Sequence, residues 1–93
     1  MTRSFSDKHT AAVFDGQEVR RWPRELQSAA RRKLKMIDAA TTMDLLRIPP
    51  GNRLEALKGD RKGQWSIRIN DQWRICFRWS DGEAWEVEIA DYP

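Results

Sequence analysis

Two periodicities divide the chain. From Arg24 to Ala40, in "RELQSAARRKLKMIDAA", the apolar residues Leu26, Ala29, Ala30, Leu34, Ile37 and Ala40 recur at helical spacing. Pro23 fits the first turn of that helix, where its missing N–H is harmless. A shorter helical piece, "TMDLLRI", follows and is stopped by "PPGN" (Pro49 to Asn52). Beyond Asn52 the period becomes two. "QWSIRIN" sets Trp65, Ile67 and Ile69 against Ser66 and Arg68, and "QWRICFRW" sets Trp73, Ile75, Phe77 and Trp79 against Arg74, Cys76 and Arg78. "AWEVEIA" continues with Trp85, Val87 and Ile89 against Glu86 and Glu88. A turn near Asn70–Asp71 separates the first two runs, and "SDGE" (Ser80 to Glu83) is a hairpin signal between the last two.

Three weaker segments complete the pattern. "RSF" (Arg3 to Phe5) reads as a short first strand, "SDKHTAAVFDG" as a turn or short helix stopped at Gly16, and "RLEAL" as a short strand. The expectation is an α+β domain spanning residues 1–93, with N-terminal helices on one face of a mainly antiparallel sheet of four to five strands. Helices over one face bury the Trp/Ile/Phe/Val side, Trp85 included, and leave the Arg/Ser/Cys/Glu side open.

Composition narrows the classes. With 93 residues there is room for one small core. There is no apolar run of about 18 residues to span a membrane, and "MTRSFSDKHTAAVF" lacks the apolar stretch of a secretion signal. A cytoplasmic protein is the default expectation. A single cysteine, Cys76, excludes an internal disulfide and a multi-cysteine zinc site. Charge is unevenly placed. Residues 1–78 hold all 17 Lys and Arg against nine acids, whereas residues 79–93 hold five acids and no base. Twelve of the 17 cations are arginine, whose planar fork binds phosphate in a bidentate way.

The sheet's polar side therefore has two readings. It is either an ordinary solvated face, with Glu86 and Glu88 neutralising the arginines, or a surface for a polyanion. The arginines Arg68, Arg74 and Arg78, next to a glycine-flanked loop bearing Lys58, Arg61 and Lys62, favour nucleic acid. The tryptophans share parity with the aliphatic residues and read as core; His9 reads as a surface residue. Cys76 has no histidine near it in sequence and does not read as a nucleophile.

The run from Asn52 to the end carries "RL-x-x-LKG-x-R-x-G", then "S-I-R-I-N-x-x-W-R", then "D-G-x-A" and a terminal "DY". With "RSF" and "IDAA" upstream, this combination resembles the HigB-type toxins of bacterial type II toxin–antitoxin systems, a branch of the RelE-like ribonucleases. "RLEAL" in place of "RLHPL" is similar to the subgroup that includes the GraT toxin. The resemblance implies a metal-independent, cofactor-free endoribonuclease that cuts mRNA in the ribosomal decoding site with the ribose 2′-OH as nucleophile. It also implies a HigA-like helix-turn-helix antitoxin as partner, through which the toxin meets operator DNA only indirectly.

On the matching positions, the resemblance makes Arg74 and Lys58 the phosphate-charge groups and Asp91 and Tyr92 members of the active site. Glu55 stands where many members have histidine, and Pro93 follows "DY" where they have another. Glu55 is then the candidate base, and Arg53, Arg61, Lys62, Arg68 and Arg78 are candidate RNA-backbone contacts. General acid–base groups contribute about 10²–10⁴-fold in rate, so a slow enzyme is expected. Two other readings remain open: a module that blocks translation by occupying RNA or ribosome, and a regulatory protein docking on its antitoxin through residues 79–93.

Overall fold

The computed structural model describes residues 1–91; Tyr92 and Pro93 lie outside it. Three helices, α1 (Lys8–Phe14), α2 (Arg24–Ala39) and α3 (Met43–Arg47), precede four strands, β1 (Glu55–Ala56), β2 (Trp65–Arg68), β3 (Trp73–Ser80) and β4 (Glu83–Asp91). The strands lie in the order β1-β2-β3-β4, with every pairing antiparallel. This is the small α+β architecture expected from the two periodicities.

Local chemistry explains each boundary. Asp7 caps α1 by accepting from the Thr10 backbone N–H at 2.7 Å. Helix α2 begins just after Pro23 and lays Leu26, Ala30, Leu34 and Ile37 onto the core. The β2–β3 turn is built by the Asn70 side chain, whose Oδ1 accepts from the Gln72 and Trp73 N–H groups at 2.9 and 2.8 Å. In the β3–β4 hairpin, Asp81 and Gly82 both have positive φ, 55° and 75°, the signature of a tight type I′ turn.

The core lies between the helices and one sheet face, around Ile67, Ile75, Phe77, Val87 and Ile89. The expected first strand is reduced to two isolated bridges, Thr2 to Ala84 and Phe5 to Val87, parallel to the outer edge of β4. Farther along that edge, the buried Thr10 hydroxyl accepts from the Ile89 N–H at 3.0 Å and so docks the first turn of α1 against β4.

Alternation fails at one point, and Trp85 moves with it. Cys76 pairs with Glu88, yet Arg78 pairs with Trp85, so β4 carries one extra residue opposite Phe77. Glu86, at φ 52°, takes the bulge, and the Ser4 side chain and backbone hold the bulged segment in place. The residue count before the bulge is reversed: Ala84 becomes fully buried and Trp85 is 37% exposed, with Arg3 lying 5.9 Å from its ring centre. The sequence places Trp85 in the core; the bulge turns it outward.

Candidate active site on the basic sheet face

The polar side of the sheet is not uniformly open. Ser66 and Cys76, at its centre, are fully buried, and Leu57 and Ala90 join Cys76 in a second small apolar cluster. Leu57 reaches this position because β1 is only two residues long and its chain turns back, with the Leu57 N–H bonded to the Gln64 carbonyl at 2.9 Å. Charged groups ring this plug.

Arg74 is the most firmly placed of them. Its Nε donates to Ser66 Oγ at 2.7 Å, its Nη2 donates to the Arg53 carbonyl at 2.7 Å, and Nη2 lies 3.6 Å from Glu55 Oε1. Only 12% of its side chain is exposed, against 51% for Glu55. The Arg53 carbonyl points there because Arg53 adopts a left-handed conformation, φ 45°, immediately after the 3-10 turn Pro50–Asn52. That turn is fixed by the buried Asn52, which donates to the Leu46 carbonyl at 3.0 Å and accepts from Lys33 Nζ. Loss of solvation, with Arg32 and Arg68 nearby, lowers the pKa of Lys33.

The other candidates fall around this centre. Arg61 donates to Gln64 and pairs with Glu88 at 3.3 Å. Arg78 pairs with Glu86 at 2.6 Å, and Gly63 packs so closely on its guanidinium that an added Cβ would lie 2.9 Å away. Arg68 pairs with Asp71. Lys58 and Lys62 stand exposed at the two ends of the 3-10 turn Gly59–Arg61. Asp91, exposed at the end of β4, accepts from Gln72 Nε2 at 3.1 Å, while Tyr92 lies beyond the described residues.

Arg61, Arg68, Arg74 and Arg78 are thus each matched to an acid, as expected of a half-buried sheet: Glu86 and Glu88 take Arg78 and Arg61, and two further acids come from outside β4. Glu55 takes Arg74, and Asp71 takes Arg68. Cys76 feels four of these charges. Burial is the main cause of its raised pKa; Arg61 and Arg74 oppose the rise, and Glu88 and Glu55 add to it. The thiol is kept protonated, and nucleophilic chemistry at Cys76 is disfavoured.

His9 also departs from its sequence reading. It is half-buried, its ring 6.0 Å from that of Trp22, which in turn stands 6.1 Å from Trp73. Nothing in the residues flanking His9 signals this, since the contact depends on α1 docking against β4.

A four-stranded antiparallel sheet with helices packed on one face is a RelE-like fold. The YoeB–YefM complex from Staphylococcus aureus contains a chain that superposes with a TM-score of 0.62 at 16% identity, covering 100% of this chain and 98% of that one. Sequence narrows the class further. The family described as the RelE-like toxin of type II toxin–antitoxin system HigB matches residues 3–92. Toxin HigB-1 of Vibrio cholerae is 45% identical over 85 residues, 90% of each chain. Endoribonuclease HigB of Proteus vulgaris is 33% identical over 96 residues, 99% of each. The chain belongs to the HigB family of type II toxin–antitoxin toxins. Among the described residues, no helix is long and apolar enough to cross a membrane.

Proposed function

We propose that this chain is a ribosome-dependent endoribonuclease that cleaves mRNA in the decoding site, with the phosphate charge met by Arg74 and Lys58 in a reaction that needs no metal. The observation that carries the reading is the held geometry of Arg74. Two short hydrogen bonds fix its guanidinium at the rim of a buried plug, and preorganised donors of this kind stabilise charge that develops in a transition state. The relative named Endoribonuclease HigB supports the reaction class.

In this reading Glu55, 3.6 Å from Arg74, takes the proton of the attacking 2′-OH. As the proton leaves, the Arg74 charge passes from the Glu55 carboxylate to the phosphorane-like centre. Asp91 and Tyr92 are assigned to shaping the site and to handling the proton that the leaving 5′-oxygen takes up. Arg53, Arg61, Lys62, Arg68 and Arg78 contact RNA backbone, Arg68 and Arg78 exchanging their acid partners for phosphate and Arg61 keeping Glu88. The partners in the cell are the ribosome with its mRNA and a HigA-like helix-turn-helix antitoxin, and the site of action is the cytoplasm. The complex nature of the S. aureus neighbour is consistent with an antitoxin partner.

The test uses purified protein, programmed ribosomes and a defined mRNA. New 5′ ends at codon positions are expected with ribosomes and not with bare mRNA. Glu55→Gln should lower the rate about 10²-fold. Translation arrest without new ends would instead favour the occupancy module.

A further inference from the structure

A second feature adjoins the candidate site and shares Arg61 and Asp91 with it. A cleft of about 480 Å³ opens over the edge of β4 from Glu88 to Asp91, where the N-terminal segment no longer covers the strand. One wall is the aromatic row His9–Trp22–Trp73, with successive rings 6.0 and 6.1 Å apart and inclined at 69° and 68°. Arg21 lies over Trp22, its Cζ 5.9 Å from the ring centre. The opposite side holds Asp91 and the Arg61–Glu88 pair.

The row is built rather than incidental. The buried Gln27 accepts from the Val19 N–H at 2.8 Å and donates to the Val19 and Trp22 carbonyls at 2.7 Å each, which holds the loop that presents Arg21 and Trp22. The Thr10–Ile89 contact sets α1, and with it His9, against the strand. Trp73 is fixed by its pairing with Asp91.

We infer that this cleft is a nucleobase subsite, taking one unpaired base of the RNA whose phosphate lies at Arg74; the inference rests on the RNA-cleaving reading above. Aromatic, histidine and arginine planes side by side are the surfaces on which single-stranded RNA stacks its bases. The acids decide between base and phosphate. Asp7, Glu88 and Asp91 outnumber Arg21 and Arg61 around the cleft, which repels a phosphate but suits the N–H donors of a base edge. Asp7 is committed to Thr10 and Glu88 to Arg61. Asp91 receives Gln72 at one oxygen and, as a carboxylate, has further lone pairs to accept an exocyclic amine. The subsite therefore selects the exocyclic amine of adenine, cytosine or guanine over uracil, whose one ring N–H lies between two carbonyl oxygens that the acids repel.

His9 is the sole histidine of the chain, so its imidazole protons give one unambiguous NMR signal. The probe is a set of 2′-O-methyl RNA tetranucleotides, all-A, all-C and all-U, whose blocked 2′-OH prevents cleavage. The A and C tetramers are expected to shift both the His9 imidazole and the Arg74 Nε–H signals, with all-U weaker at His9. The exposed substitution Arg21→Ala, and His9→Leu, should each weaken A or C binding on the order of tenfold, the scale of one lost stacking contact. If Arg74 responds while His9 stays unmoved and Arg21→Ala binds like wild type, the subsite is overturned and the nuclease reading stands. If neither signal moves with any tetramer, the subsite is overturned, and the ribosome-dependent nuclease reading is decided by its own cleavage assay.

Discussion

Cys76 shows how residue-scale burial removes one chemistry from a site rich in others. Its thiol lies among Arg61, Arg74, Glu55 and Glu88, yet loss of solvation outweighs the two cations and raises its pKa above the ordinary 9.0. Iodoacetamide should therefore modify the folded protein far more slowly than the urea-unfolded chain at the same pH; equal rates would contradict the burial. The sign for stability follows. A raised thiol pKa means the folded state keeps a proton that the unfolded state has lost, so this contribution is present below pH 9.0 and declines as pH rises through the folded value. Cys76→Ala should flatten that alkaline loss in urea titrations. Gln27 is the other single residue on which much depends. Gln27→Leu leaves the Val19 N–H and the Trp22 carbonyl without this partner, while the Val19 carbonyl keeps the Trp22 N–H; the cost is on the order of 3 kcal/mol for buried polar groups left unpaired. Urea denaturation measures it directly.

At the scale of elements, periodicity revealed what repeats and missed what interrupts. The helical spacing of Ala30, Leu34 and Ile37 and the alternation of Ile67, Ile75 and Phe77 make α2, β2 and β3 legible, because each lays one apolar face on the same core. The bulge was not legible. Ser4 lies far from Glu86 in sequence, and it is their hydrogen bond at 2.8 Å that favours the extra residue. Alternation alone therefore places Trp85 on the wrong face. The bulge makes its own prediction, since Glu86 sits at φ 52°. Glu86→Val should destabilise by about 1 kcal/mol, as a β-branched residue tolerates the left-handed region poorly, whereas Glu86→Gly should come within a few tenths of wild type. Thermal denaturation of the two variants separates backbone strain from loss of the Arg78 pair, because both substitutions remove that pair equally.

Over the whole molecule, a surplus of arginine on one sheet face is balanced by acids drawn from both strands and turns. Glu55, Asp71, Glu86 and Glu88 each take one arginine. Alternation pointed to Glu86 and Glu88 as neutralising acids but not to Glu55 and Asp71, whose pairings depend on register and on the turns they sit beside. The arginines' own positions were more legible: "N-x-x-W-R" singled out Arg74, and the fold makes it the least exposed of those four ion-paired arginines. The aromatic cleft went unseen because it joins α1, the Arg21–Trp22 loop and the end of β4, which are distant in the chain and meet only in the fold.

The central claim is that Arg74 supplies transition-state charge at an RNA phosphate, and substitution at this position under translation tests it most directly. Wild type, Arg74→Ala and Arg74→Lys would be induced and mRNA 5′ ends mapped by primer extension, with circular dichroism confirming that each variant is folded. The account predicts codon-aligned ends for wild type, a loss of about 10²–10³-fold for Arg74→Ala, as for removal of one preorganised donor, and partial recovery at most for Arg74→Lys, whose point charge cannot form the arginine fork. Undiminished cleavage by a folded Arg74→Ala protein would contradict it.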